Sequence, residues 1–103
     1  MKIVRVIYTA KAEYCEQNQA NIKKVMSDLQ GLQYPGINYH VCLGSDGKSF
    51  IHTAFFKSEE DQKLLNELSS FKYFQEQLTA SGLEVPPKQE LLTLVGSSTK
   101  IFN

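Results

Sequence analysis

The chain opens on an almost unbroken apolar run. Residues 2–9, KIVRVIYT, are rich in β-branched side chains, show no 3.6-residue period and are interrupted only by Arg5, which predicts a strand covered on both faces. The pattern then changes. Between Ala12 and Leu32, Cys15, Ile22, Val25, Met26 and Leu29 recur at three- and four-residue spacing, the stripe of an amphipathic helix with Gly31 as its natural stop. Tyr34-Pro35-Gly36 marks a turn. From Ile37 to Leu43, the set Ile37, Tyr39, Val41, Leu43 alternates with Asn38, His40, Cys42, a strand period with one apolar and one mixed face. Asp46-Gly47 supplies the positive φ angles of a tight two-residue hairpin turn, and Ser49 to Phe56 resumes as the second strand of that hairpin.

Ser58-Glu59-Glu60-Asp61 has the form of a capping box, so a helix starts there. Leu64, Leu65, Leu68, Phe71, Phe74 and Leu78 carry its apolar stripe, with Ser69-Ser70 as a point of kinking or of a fresh start, and Ser81-Gly82 ends it. Pro86-Pro87 then imposes an extended lead-in to a last strand over 90–96, whose centre is LLTLV. The tail Ser97–Asn103 receives no assignment. Strand, helix, strand, strand, helix, strand is the order of a ferredoxin-like α+β domain, β-α-β-β-α-β, with one antiparallel four-stranded sheet and its helices on one face. At 103 residues the chain suffices for one such domain, spanning 1–103. Its strands are nearly as apolar on the side away from the helices. A wet apolar face of several hundred Å² is disfavoured, so a homodimer closing sheet against sheet is expected.

Composition narrows the partners. Eleven basic residues balance eleven acidic ones, so no overall field draws the protein to nucleic acid or to an anionic membrane. Arg5 breaks the first apolar run before it reaches signal-peptide length, and no run approaches the roughly 20 residues of a membrane helix. The expected location is the cytoplasm. Cys15 and Cys42 fit no zinc-ligand spacing and read as reduced packing residues; a reactive Cys15 requires a helix N-terminus or a cation beside it.

The candidate chemistry follows from strand register. A two-residue turn at Asp46-Gly47 sets 41 opposite 52 and 40 opposite 53, so His40 and His52 point to opposite faces and form no shared metal pair. His52 shares its face with Tyr39, Phe50 and Phe56: an aromatic pocket with one titratable group. Arg5, alone in an apolar strand, needs an anion, either an acid across a subunit interface or a carboxylate or phenolate on a ligand. Tyr8 and Tyr39 are candidate hydrogen-bond donors to the same ligand. Arg5, Tyr8, Tyr39, His52 and Phe56 are therefore the candidate ligand-binding residues, with catalytic residues unassigned. Neither a nucleotide-binding loop, nor a nucleophile elbow, nor a metal-ligand spacing is present, so no metal and no cofactor is expected.

The opening strand and helix, the hairpin, the third strand with Phe50, His52, Ala54 and Phe56, the helix start Lys57-Ser58-Glu59-Glu60 and the segment Ser69-Ser70-Phe71-Lys72-Tyr73-Phe74 together resemble the antibiotic-biosynthesis-monooxygenase-like proteins of the dimeric α+β barrel superfamily. The resemblance spans nearly the whole chain. It implies a homodimer of ferredoxin-like protomers with a small cavity between helices and sheet. Members that act as oxygenases or degrade haem tend to use Trp, His and Asn or Glu in that cavity. This chain has no Trp, carries Phe56 as the strand aromatic, Ala54 where an acid is frequent, and Ser70 where a His is usual. The expected function is thus a small-molecule-binding module without the usual catalytic residues, for a small hydrophobic or aromatic ligand. The alternative is a cofactor-free monooxygenase of a small aromatic or quinone-like substrate. Lys48 to Phe55 also resembles the third-strand motif of RNA-recognition modules, with Phe50 and Phe55 on two motif aromatics but Ser49 and His52 at a glycine and an aromatic position; without net positive charge, RNA binding is not expected.

Overall fold

The structure is a computed structural model that describes residues 1–102; the last tail residue, Asn103, lies outside the described residues. Strand β1 (Lys2–Ala10) leads through a single 3-10 turn (Ala12–Tyr14) into helix α1 (Cys15–Leu32). The hairpin β2 (Ile37–Leu43) and β3 (Ser49–Phe56) follows, then α2 (Glu59–Glu67), α3 (Ser69–Ser81) and β4 (Leu83–Leu92). The strands form one antiparallel sheet in the order β2-β3-β1-β4, so β1 and β3 are central and β2 and β4 are edges. Alternation then decides each side chain's side. Val4, Val6, Tyr8 and Ala10 of β1 and Phe50, His52, Ala54 and Phe56 of β3 face the helices, where all but Val6 are buried. They meet Cys15, Ile22 and Val25 of α1, Leu65 of α2 and Phe71, Phe74 and Leu78 of α3 in one core.

Three expectations about element ends need correction. Gly31 does not stop α1: the helix runs on to Leu32, and Gln33 takes the left-handed cap (φ 52°), its N–H bonded to the Leu29 carbonyl. The hairpin turn is not the two residues Asp46-Gly47. Gly44 N–H still bonds to the Ser49 carbonyl, and residues 45–48 form the loop, with Gly47 at φ 74° and the Asp46 carboxylate accepting from the backbone N–H groups of Lys48 and Ser49. One residue more on each side leaves the parity unchanged, so Val41 pairs with His52 and His40 with Thr53 as expected. The last strand occupies Leu83–Leu92, not 90–96, and contains Pro86-Pro87. Two prolines fit there because β4 is an edge strand and the ladder is broken beside them: Ile7 pairs with Lys88 but Thr9 with Val85, which leaves Pro86 and Pro87 both opposite Tyr8 in a bulge.

The second helix does restart at Ser69. Leu68 is extended (φ −65°, ψ 124°) between α2 and α3. Ser58 closes its predicted box, its N–H and hydroxyl both donating to Asp61 Oδ2, at 3.0 and 2.8 Å. On the outer face of the sheet, Asn38 Nδ2 donates to the Ile101 carbonyl at 3.1 Å and so lays the tail across one end. Leu91, Leu92, Leu94 and Val95, at the end of β4 and just beyond, remain exposed. No helix of the described residues is long and apolar enough to cross a membrane.

Candidate functional site

Register assembles the site. His52 sits mid-strand on β3 with Val6 of β1 on one side and Val41 of β2 on the other. Tyr8 pairs with Phe50 and Tyr39 with Ala54, so the two tyrosines are the diagonal neighbours of His52, within reach of long side chains on the same face. Both reach it. Tyr8 Oη lies 2.9 Å from His52 Nε2 and Tyr39 Oη 2.6 Å from His52 Nδ1, so each ring nitrogen is engaged by a phenol. Phe74 closes over the ring with centroids 5.4 Å apart, while Phe71 meets Tyr39 edge-on and Phe50 stacks on Tyr8.

Helix α1 supplies the fourth member. Asn18 is fully buried and its Nδ2 donates to Tyr8 Oη at 2.8 Å, while its Oδ1 has no partner among the described residues. It was not among the expected site residues. Its position was readable, because Asn18 follows Cys15 by three residues and precedes Ile22 by four, on the apolar stripe itself.

Above this network is a cavity of about 310 Å³ between the sheet and α2 and α3, near the lower end of the usual range for ligand pockets. Val4, Val6, Ala54, Phe56, Leu65 and Leu78 give it carbon walls. Tyr8, Tyr39 and His52 form a polar spot, and Gln62, Asn66, Gln75 and Gln89 add amides; no Asp, Glu, Lys or Arg lines it among the described residues. Burial holds His52 neutral, with its pKa lowered from 6.5 to about 4, and pushes the Tyr8 and Tyr39 phenols well above the ordinary tyrosine range.

Of the candidate residues, Tyr8, Tyr39, His52 and Phe56 converge on this cavity. Arg5 does not join them. It lies on the other face of the sheet, where its Nη1 donates to Glu90 Oε1 at 2.8 Å, so its anion is an acid of the same protomer. The sequence hides this pairing because its local pattern puts Glu90 at the start of a later strand, over 90–96, and not inside β4. Cys15 heads α1, but its thiol donates to the Lys11 carbonyl at 3.3 Å and burial pushes its pKa up, the opposite of an activated thiol. Phe50, an aromatic of the RNA-like motif, is buried under the helices and presents no stacking surface. No cluster of three metal-ligating side chains occurs among the described residues.

No protein-family model matches the chain. No curated protein matches it either. Solved structures do. An antibiotic biosynthesis monooxygenase superposes with TM-score 0.78 at 12% identity over 93% of this chain and 100% of its own. Rv0793 from Mycobacterium tuberculosis gives 0.77 at 11% over 95% and 98%. A variant of SnoaB, a cofactor-independent oxygenase from Streptomyces nogalater, gives 0.66 at 12% over 96% of both chains. At such identities the likeness speaks for backbone architecture alone, and the chain has the ferredoxin-like α+β fold of the antibiotic biosynthesis monooxygenases.

Proposed function

We propose that this protein is a small-molecule-binding module, one unit over 1–103, that takes a small hydrophobic or aromatic ligand into the cavity between sheet and helices and works as a cytoplasmic homodimer. The observation that carries the reading is a carbon-walled cavity whose polar groups converge on one spot, Tyr8–His52–Tyr39, the form expected of a site that orients one small ligand. A binder is favoured over an oxygenase. A histidine with pKa about 4 is a feeble base at neutral pH, and no charged side chain among the described residues faces the cavity to stabilise an anionic intermediate. SnoaB, which has this fold, is a cofactor-independent oxygenase, so dioxygen uptake is the assay that separates the two readings.

The test is a titration of isotope-labelled protein with tetralin, a neutral bicyclic hydrocarbon, followed by amide shifts. Saturable shifts confined to residues around His52, Ala54, Phe71 and Phe74, abolished by the cavity-filling Ala54→Phe, support the site. Absence of saturable shifts overturns it. Dioxygen consumption with an added hydroquinone would replace binding by turnover.

Homodimer formation is supported by the outer sheet face, where Ile7, Ile51 and Phe55 are only half-buried, and by the exposed run Leu91, Leu92, Leu94, Val95 beside it. A second copy is the natural cover for an apolar surface on a chain with no net charge. Light scattering gives twice the chain mass on this reading, and Leu92→Glu with Val95→Glu returns it to one. A monomeric unmodified protein refutes the dimer without touching the cavity.

A further inference from the structure

We propose that Asn18, Tyr8, His52 and Tyr39 form a one-way hydrogen-bond chain that fixes His52 as the Nδ1–H tautomer and leaves the Tyr39 hydroxyl hydrogen as its free end, the donor for the carbonyl oxygen of an uncharged aromatic ligand. The inference rests on the reading of the cavity as a ligand site and names the ligand's chemistry.

The direction of the chain follows from counting hydrogens. Asn18 contacts Tyr8 through one arm of its amide, and the other arm meets no partner among the described residues. With Nδ2 toward Tyr8, the orphan is a carbonyl oxygen. With the amide reversed, the orphan is an NH₂ carrying two hydrogens, the rarer and costlier defect in a fully buried place. So Asn18 donates and Tyr8 accepts. The Tyr8 hydrogen then has one acceptor at hand, His52 Nε2 at 2.9 Å, which must be bare. A neutral imidazole with a bare Nε2 carries its hydrogen on Nδ1, 2.6 Å from Tyr39 Oη, and donates it there. Tyr39 Oη makes no other hydrogen bond among the described residues, so its own hydrogen is unused on the wall of the cavity.

What that end can receive is set by the surroundings. A carboxylate or phenolate entering the cavity loses water and meets no cation: Arg5 is on the far face, bonded to Glu90, and the amides and phenols of the lining are neutral. A hydrocarbon enters freely but leaves the Tyr39 hydrogen unpaired. A neutral aryl ketone satisfies both the carbon walls and the one free donor.

The tautomer is read directly on unliganded protein labelled with ¹⁵N in histidine: a two-bond ¹H–¹⁵N spectrum at neutral pH should show protonated Nδ1 and bare Nε2 for His52. A protonated Nε2, or an imidazolium, overturns the chain. The ligand class is read by comparing 1-tetralone, tetralin and 1,2,3,4-tetrahydro-1-naphthoate. The ketone should bind about five- to tenfold more tightly than the hydrocarbon, the yield of one added hydrogen bond, and the carboxylate most weakly. Tyr39→Phe should bring the ketone down to the hydrocarbon's affinity. Equal binding of ketone and hydrocarbon to the unmodified protein overturns the donor role. If none of the three binds, the ligand site itself fails, a result distinguishable from a wrong tautomer because the spectrum needs no ligand.

Discussion

Asn18 has no exposed surface and yet uses one arm of its amide. Burying an unpaired polar atom costs about 1–3 kcal/mol, so stability alone favours an apolar residue of similar shape at that place. Asn18→Leu is therefore expected to change unfolding free energy by no more than about 1 kcal/mol, since it removes the orphan together with one bond and leaves Tyr8 bonded to His52. His52→Leu is expected to cost about 2–4 kcal/mol, because it leaves the Tyr8 hydrogen and the whole Tyr39 hydroxyl without partners. Urea unfolding of the two variants gives the comparison, and an Asn18→Leu loss equal to or above that of His52→Leu would sink this account of the network. The same residues show what could be read from the sequence. His52 and Tyr39 share a face through the parity of one turn, which survives even when the turn's length is misjudged. Asn18 escaped because polar positions of an amphipathic helix default to the wet side, and Arg5 was misplaced because its partner comes from β4, the strand with the weakest local pattern.

At the scale of elements, junctions are where local pattern and tertiary contact meet. The break between α2 and α3 was legible, since Ser69-Ser70 offers a start and Leu68 keeps the apolar stripe going. The extent of β4 was not, because prolines argue against a strand unless it is known to lie at an edge with a bulge. The junction before β2 joins two distant elements through Gly36. Its carbonyl accepts the Lys57 N–H, and the Asp61 carboxylate of the capping box packs onto the space a Cβ would fill. Gly36 does not have a positive φ, so the glycine is there for room and not for backbone freedom. Gly36→Ala should displace Asp61 from Ser58 and cost about 1–2 kcal/mol, roughly the worth of a helix cap plus local strain. In an Asp61→Ala background the same change should be neutral or stabilising by up to about 1 kcal/mol, because alanine then only restrains the unfolded chain. A double-mutant cycle on thermal or urea unfolding reads the reversal; equal costs in both backgrounds would show that the carboxylate is not what requires the glycine.

For the whole molecule, the buried histidine makes stability depend on pH over a defined range. His52 titrates near 6.5 in an unfolded chain and near 4 in the folded protein, lowered by burial. Between those values the unfolded state holds more protons than the folded one, so unfolding free energy rises with pH there. Stability contributed by keeping the ring neutral is full above about 6.5, falls as pH drops toward 4, and amounts to about 3 kcal/mol in total. The groups in contact with the ring do not blur the range, since Tyr8 and Tyr39 are held protonated by burial well above it. Asp46, whose carboxylate accepts from Ser49 Oγ and the two turn N–H groups and is lowered to about 2, loses its contribution only below its ordinary 3.8, under the window of His52. Urea midpoints measured from pH 4 to pH 7.5 at fixed protein concentration should therefore fall toward acid, and the part of that slope between 6.5 and 4 should be missing in His52→Gln, which cannot take up a proton. A wild-type profile with the same slope as His52→Gln would mean that water or a ligand group reaches the ring and shares its charge. The reading of His52 as a buried neutral ring would then have to be abandoned, and with it the preference for an uncharged ligand.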